Sequence, residues 1–98
     1  MRIKNKDILE LVGKTKETDS PQFSLDDLVG KTIQKHRKIK NPEKVDRTVT
    51  QPNPEYFNVL IFSDATFLLT AGVGYQAGTE LRSYYFNGKE VRYSNELF

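Results

Sequence analysis

Residues 56–73 read YFNVLIFSDATFLLTAGV, and the fold follows from how this stretch is interpreted. Two apolar runs, Val59-Leu60-Ile61-Phe62 and Phe67-Leu68-Leu69, face each other across the short polar interruption Ser63-Asp64-Ala65-Thr66. Continuous apolar runs of this length, bounded by turn residues, describe strands buried on both faces. They predict a β-hairpin at the centre of a sheet, covered by helices on one face and by curvature or a partner on the other. Asp64 suits the turn, because its carboxylate can accept from backbone amides two residues on. A two-residue primed turn would favour glycine where Ala65 stands, so a longer loop built on a type I turn is expected.

Downstream, Gly72, Gly74 and Gly78 punctuate the chain, and residues 81–86 and 89–93 alternate around Asn87-Gly88. Asn-Gly between alternating runs signals a second hairpin. A two-residue turn there would pair Phe86 with Lys89 and Tyr84 with Val91. Arg82, Tyr84, Phe86, Val91 and Tyr93 then share a core-like face, and Ser83, Tyr85, Glu90 and Arg92 a solvent-like one. The tail, 94–98, ends on Leu97 and Phe98 and is expected to fold back onto the sheet.

Upstream, residues 5–13 read as a short helix with Ile8, Leu9, Leu11 and Val12 on its inner side, Asn5 as N-cap and Gly13 as a left-handed stop. A second helix start lies at Phe23-Ser24-Leu25-Asp26-Asp27-Leu28. There Ser24 is the N-cap, two aspartates face the first-turn amides, and Phe23 and Leu28 are spaced for a hydrophobic staple, with Gly30 as the stop. Leu-Val-Gly-Lys-Thr occurs at both 11–15 and 28–32. Five residues without a longer period are better explained by two helix ends using similar stop chemistry than by a repeat architecture. Residues 32–40 alternate weakly and predict an edge strand, where lysines discourage strand addition. Residues 45–50 alternate again and predict a partner strand, and Pro52 and Pro54 exclude the next segment from a sheet interior. The expected architecture is α+β: two short N-terminal helices on an antiparallel sheet of about five strands, with a small curled β-barrel as the alternative. A single domain over 1–98 is expected, helical over 1–30 and a β-meander over 31–98.

Composition narrows the chemistry. The 98 residues are 37% hydrophobic and 29% charged, as in a soluble globular chain, and no apolar run approaches the roughly 18–20 residues of a membrane span. Residues 1–14 lack an uninterrupted apolar core, so no secretory signal is read there. There is no cysteine, which excludes disulfides, thiolate nucleophiles and iron–sulfur ligation, and suits a cytoplasmic location. No membrane association is expected.

Several motifs fail on spacing. Each Gly-Lys-Thr would need a glycine five residues before its Gly-Lys pair to wrap a phosphate, and those positions hold Ile8 and Leu25. Gly72, Gly74 and Gly78 miss the dinucleotide spacing by one residue and open no helix. His36, the only histidine, lies between Lys35 and Arg37 with no nearby partner for catalysis or metal binding. The carboxylates are isolated or explained by helix starts and turns. No catalytic residue, metal ligand or cofactor is assigned.

Charge is the remaining signal. Residues 1–47 carry 12 basic and 8 acidic side chains, whereas 48–98 carry 3 and 5. Lys31, Lys35, Arg37, Lys38, Lys40, Lys44 and Arg47 are opposed only by Glu43 and Asp46. On a strand and turn they form a candidate polyanion or nucleic-acid contact, with Tyr75, Tyr84 and Tyr85 as stacking surfaces if they lie nearby. Tyr75, Gln76, Tyr85 and Arg92 form a candidate protein interface, aromatics beside mixed charge. The leading expectation is a small non-enzymatic protein-binding or accessory protein of phage or bacterial type, whether an inhibitor, an immunity-type factor or a self-associating homodimer. The alternative is a nucleic-acid-binding protein that uses the basic strand 31–47.

Overall fold

The computed structural model describes residues 3–16, 22–41, 56–75 and 78–94, and gives the backbone course alone for 72–75 and 78–81. Helix α1 (Asn5–Gly13) precedes five strands: β1 (Ile33–Lys40), β2 (Tyr56–Phe62), β3 (Phe67–Tyr75), β4 (Gly78–Phe86) and β5 (Val91–Ser94). Each strand pairs antiparallel with the next, so the spatial order is β1-β2-β3-β4-β5. This is an open meander with β1 and β5 at its edges, an α+β fold and not a closed barrel. The strand expected over 45–50 and the fold-back of 95–98 lie outside the described residues.

Only one of the two expected helices is an α-helix. Residues Leu25–Leu28 form a single 3₁₀ turn, because the segment has room for one turn before Gly30 enters the left-handed region at φ 85°. Its start follows the sequence signal: Asp27 Oδ2 accepts the Ser24 N–H at 2.9 Å, and the Asp27 N–H donates to the Ser24 carbonyl at 3.1 Å. The caps of α1 differ from expectation. Lys4 occupies the N-cap position without a side-chain bond, and Gly13 is a helical residue, not a left-handed stop. Thr15 helps close that end, its Oγ1 donating to the Leu11 carbonyl at 2.9 Å.

Both faces of the central hairpin are covered, as its unbroken apolar runs require. Toward α1 lie Ile39, Val59, Ile61, Phe67, Leu69, Tyr84 and Tyr93, packed under the fully buried Ile8 with Leu11 and Val12 beside it. On the opposite face Phe23 and Leu28 close over Phe62, Leu68 and Tyr85, with the Phe23 and Tyr85 ring centroids 5.5 Å apart. The face carrying Ser83 and Tyr85 is therefore not a solvent face: both side chains are buried, and only Glu90 and Arg92 of that expected set are exposed.

Loop chemistry sets the registers. In the first hairpin the loop is residues 63–65: the Phe62 N–H donates to the Thr66 carbonyl at 2.9 Å, and the Ala65 N–H to the Phe62 carbonyl at 3.2 Å. Ala65 takes φ 66°, a left-handed conformation normally left to glycine. In the second hairpin Phe86 pairs with Val91 and Tyr84 with Tyr93, two residues beyond the expected register. The loop residues are Gly88 and Lys89, not Asn87 and Gly88. Asn87 closes the loop against Glu90, its N–H donating to the Glu90 carbonyl at 3.2 Å, and its Oδ1 accepts the N–H groups of Lys89 and Glu90 at 2.9 and 3.0 Å. A shift of two preserves which side chains share a face, so the grouping survives the register error although the solvent character given to one face does not.

Candidate functional site

The basic strand does not present one surface. Side chains alternate across a strand, so β1 divides its cations between two faces. Lys35 and Arg37 stand opposite Ile61 and Val59, on the α1 side, whereas His36, Lys38 and Lys40 stand opposite Leu60, Asn58 and Tyr56, on the other. Arg37 is used structurally. Its Nη1 donates to the Ile3 carbonyl and, at 3.0 Å, to Asn5 Oδ1, tying the start of α1 to the edge strand. Lys44 and Arg47 lie outside the described residues.

Lys31 is also committed. Its ammonium lies 2.5 Å from Asp64 Oδ2 and 3.1 Å from Thr66 Oγ1, and sits 5.6 and 5.5 Å from the Phe62 and Tyr85 ring centroids. Asp64 Oδ1 accepts from Thr66 Oγ1 at 2.5 Å and from the Thr66 N–H at 3.2 Å. These bonds, that from Lys31 foremost, lower the Asp64 carboxyl from 3.8 to about 2, and the same pairing raises Lys31 above its ordinary value. The cluster locks the tip of the β2–β3 hairpin to the lead-in of β1. Lys31 is thereby engaged within the fold.

What remains of the basic stretch is a small facet. Lys38 Nζ lies 4.6 Å from the centroid of the exposed Tyr56 ring, Lys40 pairs across from the same tyrosine, and His36 Nε2 is 3.3 Å from Asn58 Oδ1. Tyr56 is not among the aromatics expected as stacking surfaces. Tyr84 and Tyr85, expected as stacking surfaces, are buried, and the Tyr75 side chain lies outside the described residues.

A second surface lies at the opposite edge. A groove of about 520 Å³ runs between the end of α1 and β5, with half-buried Leu11, Thr15 and Val91 at its base and Lys14, Lys16, Gln22, Glu90 and Arg92 along its margins. Lys14 pairs with Glu10 at 3.2 Å and Arg92 with Glu90 at 3.2 Å, both at exposed positions. At one end Gln22 caps the sheet. Its N–H donates to the Tyr93 carbonyl at 2.9 Å, and its Oε1 accepts the Tyr93 N–H at 3.0 Å.

Of the four candidate interface residues, Arg92 lines this groove. Tyr85 is buried against Phe23, contrary to the exposure expected of it, and Tyr75 and Gln76 have no described side chains. Sequence reading missed Lys14, Lys16 and Gln22. Nothing local marks them, since the strand they border begins 69 or more residues away in the chain. Among the described residues no group of three His, Cys, Asp or Glu side chains is placed to hold a metal ion. Nor is any described helix long and apolar enough to cross a membrane. No known protein family, curated protein or solved structure matches the chain.

Proposed function

We propose that the protein is a small non-catalytic accessory protein that acts by binding another protein. The groove beside β5 carries this reading: it joins an apolar base, a charged margin and the edge of a sheet, the elements of a protein-binding surface. The disposition of reactive side chains supports it too. Asp64, Glu10 and Glu90 are each paired with a cation, and His36 contacts an amide.

The reading is tested by placing a photo-crosslinking residue at Lys16, on the groove, and separately at Asn58, on the far face, and irradiating cells that make the protein. A discrete protein adduct from either position is expected. Nucleic-acid adducts alone, or none from either position, would overturn the proposal. The facet of Lys38, Lys40, His36 and Tyr56 favours a second reading, polyanion binding by a cation–aromatic surface. In that case single-stranded DNA binds with an affinity that falls steeply with salt, and Lys38→Glu/Lys40→Glu abolishes it. No retention of single-stranded DNA at low salt would sink it.

A further inference from the structure

The edge of β5 says more about the occupant of the groove. The Asn87 N–H donates to the Glu90 carbonyl, which makes 87 and 90 a hydrogen-bonded pair. In an antiparallel ladder such pairs alternate with pairs whose backbone groups point away from each other. Residues 92 and 94 therefore bond to β4, while Val91 and Tyr93 turn their N–H and C=O groups to the outer edge. Tyr93 confirms the phase, because both its outward groups are taken by Gln22. Gln22 thus occupies that edge as one residue of an added strand would. Val91, next along the same edge, directs its backbone groups into the groove that it lines.

We infer that the groove receives an acidic, extended segment of a partner protein, which pairs with the outer edge of β5 beside Gln22. The inference rests on the protein-binding reading above. Backbone pairing supplies the affinity and the flanking side chains the selectivity, as in strand addition generally. An added strand places alternate side chains on the two faces of the sheet. One apolar side chain would meet Leu11 and Val91 on the α1 side. Its neighbours would meet Arg92 and Glu90 on the other side, within the field of Lys14 and Lys16. Lys14, Lys16 and Arg92 outnumber Glu90 and Glu10, the partner of Lys14, by one charge, so acidic segments are favoured and basic ones opposed.

The test uses the full chain and a fluorescein-labelled octapeptide of alternating valine and glutamate. Binding is followed by anisotropy, together with hydrogen exchange of the Val91 amide. The peptide is expected to bind and to protect the Val91 N–H, while the alternating valine–lysine peptide does neither. Lys14→Glu/Lys16→Glu/Arg92→Glu, at exposed positions that leave circular dichroism unchanged, should weaken binding by at least about tenfold. Two further peptides need no protein variant: one N-methylated at every valine, the other at every glutamate. At least one must lose binding, because one set of amides faces β5. Equal binding of the acidic and basic peptides, or full binding of both N-methylated peptides, would overturn the inference. So would competition by a ten-residue oligothymidylate that depends on Arg92, which would mark a general polyanion surface. A protein adduct at Asn58 combined with failure of the peptide would refute the groove and leave the binding reading standing. Absence of adducts from both positions removes the reading itself.

Discussion

The pentapeptide Leu-Val-Gly-Lys-Thr folds in two different ways within the first third of this chain. At 11–15 it ends α1: Gly13 is helical, Val12 is half-buried toward the sheet, and Lys14 is a surface residue paired with Glu10. At 28–32 it closes a 3₁₀ turn and enters β1. There Val29 is extended and 78% exposed, Gly30 is left-handed, and Lys31 is held against Asp64 and two rings. Five identical residues thus carry no conformational instruction of their own. Their flanks decide: one copy follows a helix anchored by buried Ile8, the other a turn stapled by Phe23, and each lysine then finds what the fold puts within reach.

Removing the anchors should break the comparison most severely. Ile8→Ala and Phe23→Ala each delete a buried side chain, on opposite faces of the sheet, and each should cost about 3 kcal/mol in urea melts. Native-state hydrogen exchange should localise the damage, speeding the amides of 12–15 in the first variant and of 28–31 in the second. A loss below about 1 kcal/mol at either site would show that the anchor does not hold its pentapeptide in place.

The two lysines come next. Lys31 is 15% exposed and bonded to both Asp64 and Thr66, whereas the Lys14 side chain is 74% exposed. Lys31→Met should cost about 1–2 kcal/mol, discounted for a carboxylate that is half exposed, and Lys14→Met less than about 0.5 kcal/mol. The pH profile gives an independent check. Asp64 has a folded value of about 2 against an ordinary 3.8, so its stabilisation is complete above about pH 4 and is lost as pH falls toward 2. The value for Lys31 is raised, so its contribution persists through alkaline pH up to its ordinary 10.5 and is lost above it. In Lys31→Met the acid limb should flatten; an unchanged limb would place its origin elsewhere.

The same contrast marks what the sequence made legible. The central hairpin could be read because its signals are local: apolar runs, a polar interruption and strand lengths. The second hairpin was legible in which side chains share a face but not in its register, because the register depends on whether Asn87 turns the chain or caps the turn with its side chain. The division of the basic stretch was not legible, because a count along the chain ignores alternation and distant partners: Arg37 answers to Ile3 and Asn5, and Lys31 to Asp64. Tyr85 looked exposed because the residue that buries it, Phe23, stands 62 positions earlier. The groove joins Lys14 and Lys16 to Arg92, and no pattern along the chain announces that contact.

The sharpest test is also the smallest in size, because it asks one substitution to change sign between the two copies. Gly13 is helical and an added Cβ would meet nothing within 4 Å, so Gly13→Ala should gain about 0.5–1 kcal/mol from reduced unfolded-state entropy and better helix propensity. Gly30 has the same open surroundings but sits at φ 85°, where an L side chain crowds its own backbone. Gly30→Ala should therefore lose about 1 kcal/mol. Because neither Cβ meets a neighbour, the difference in thermal midpoint isolates the backbone, with packing held constant. Two shifts of the same sign would mean that the two glycines share a conformation in solution, and the distinction between the two pentapeptides would fall with it.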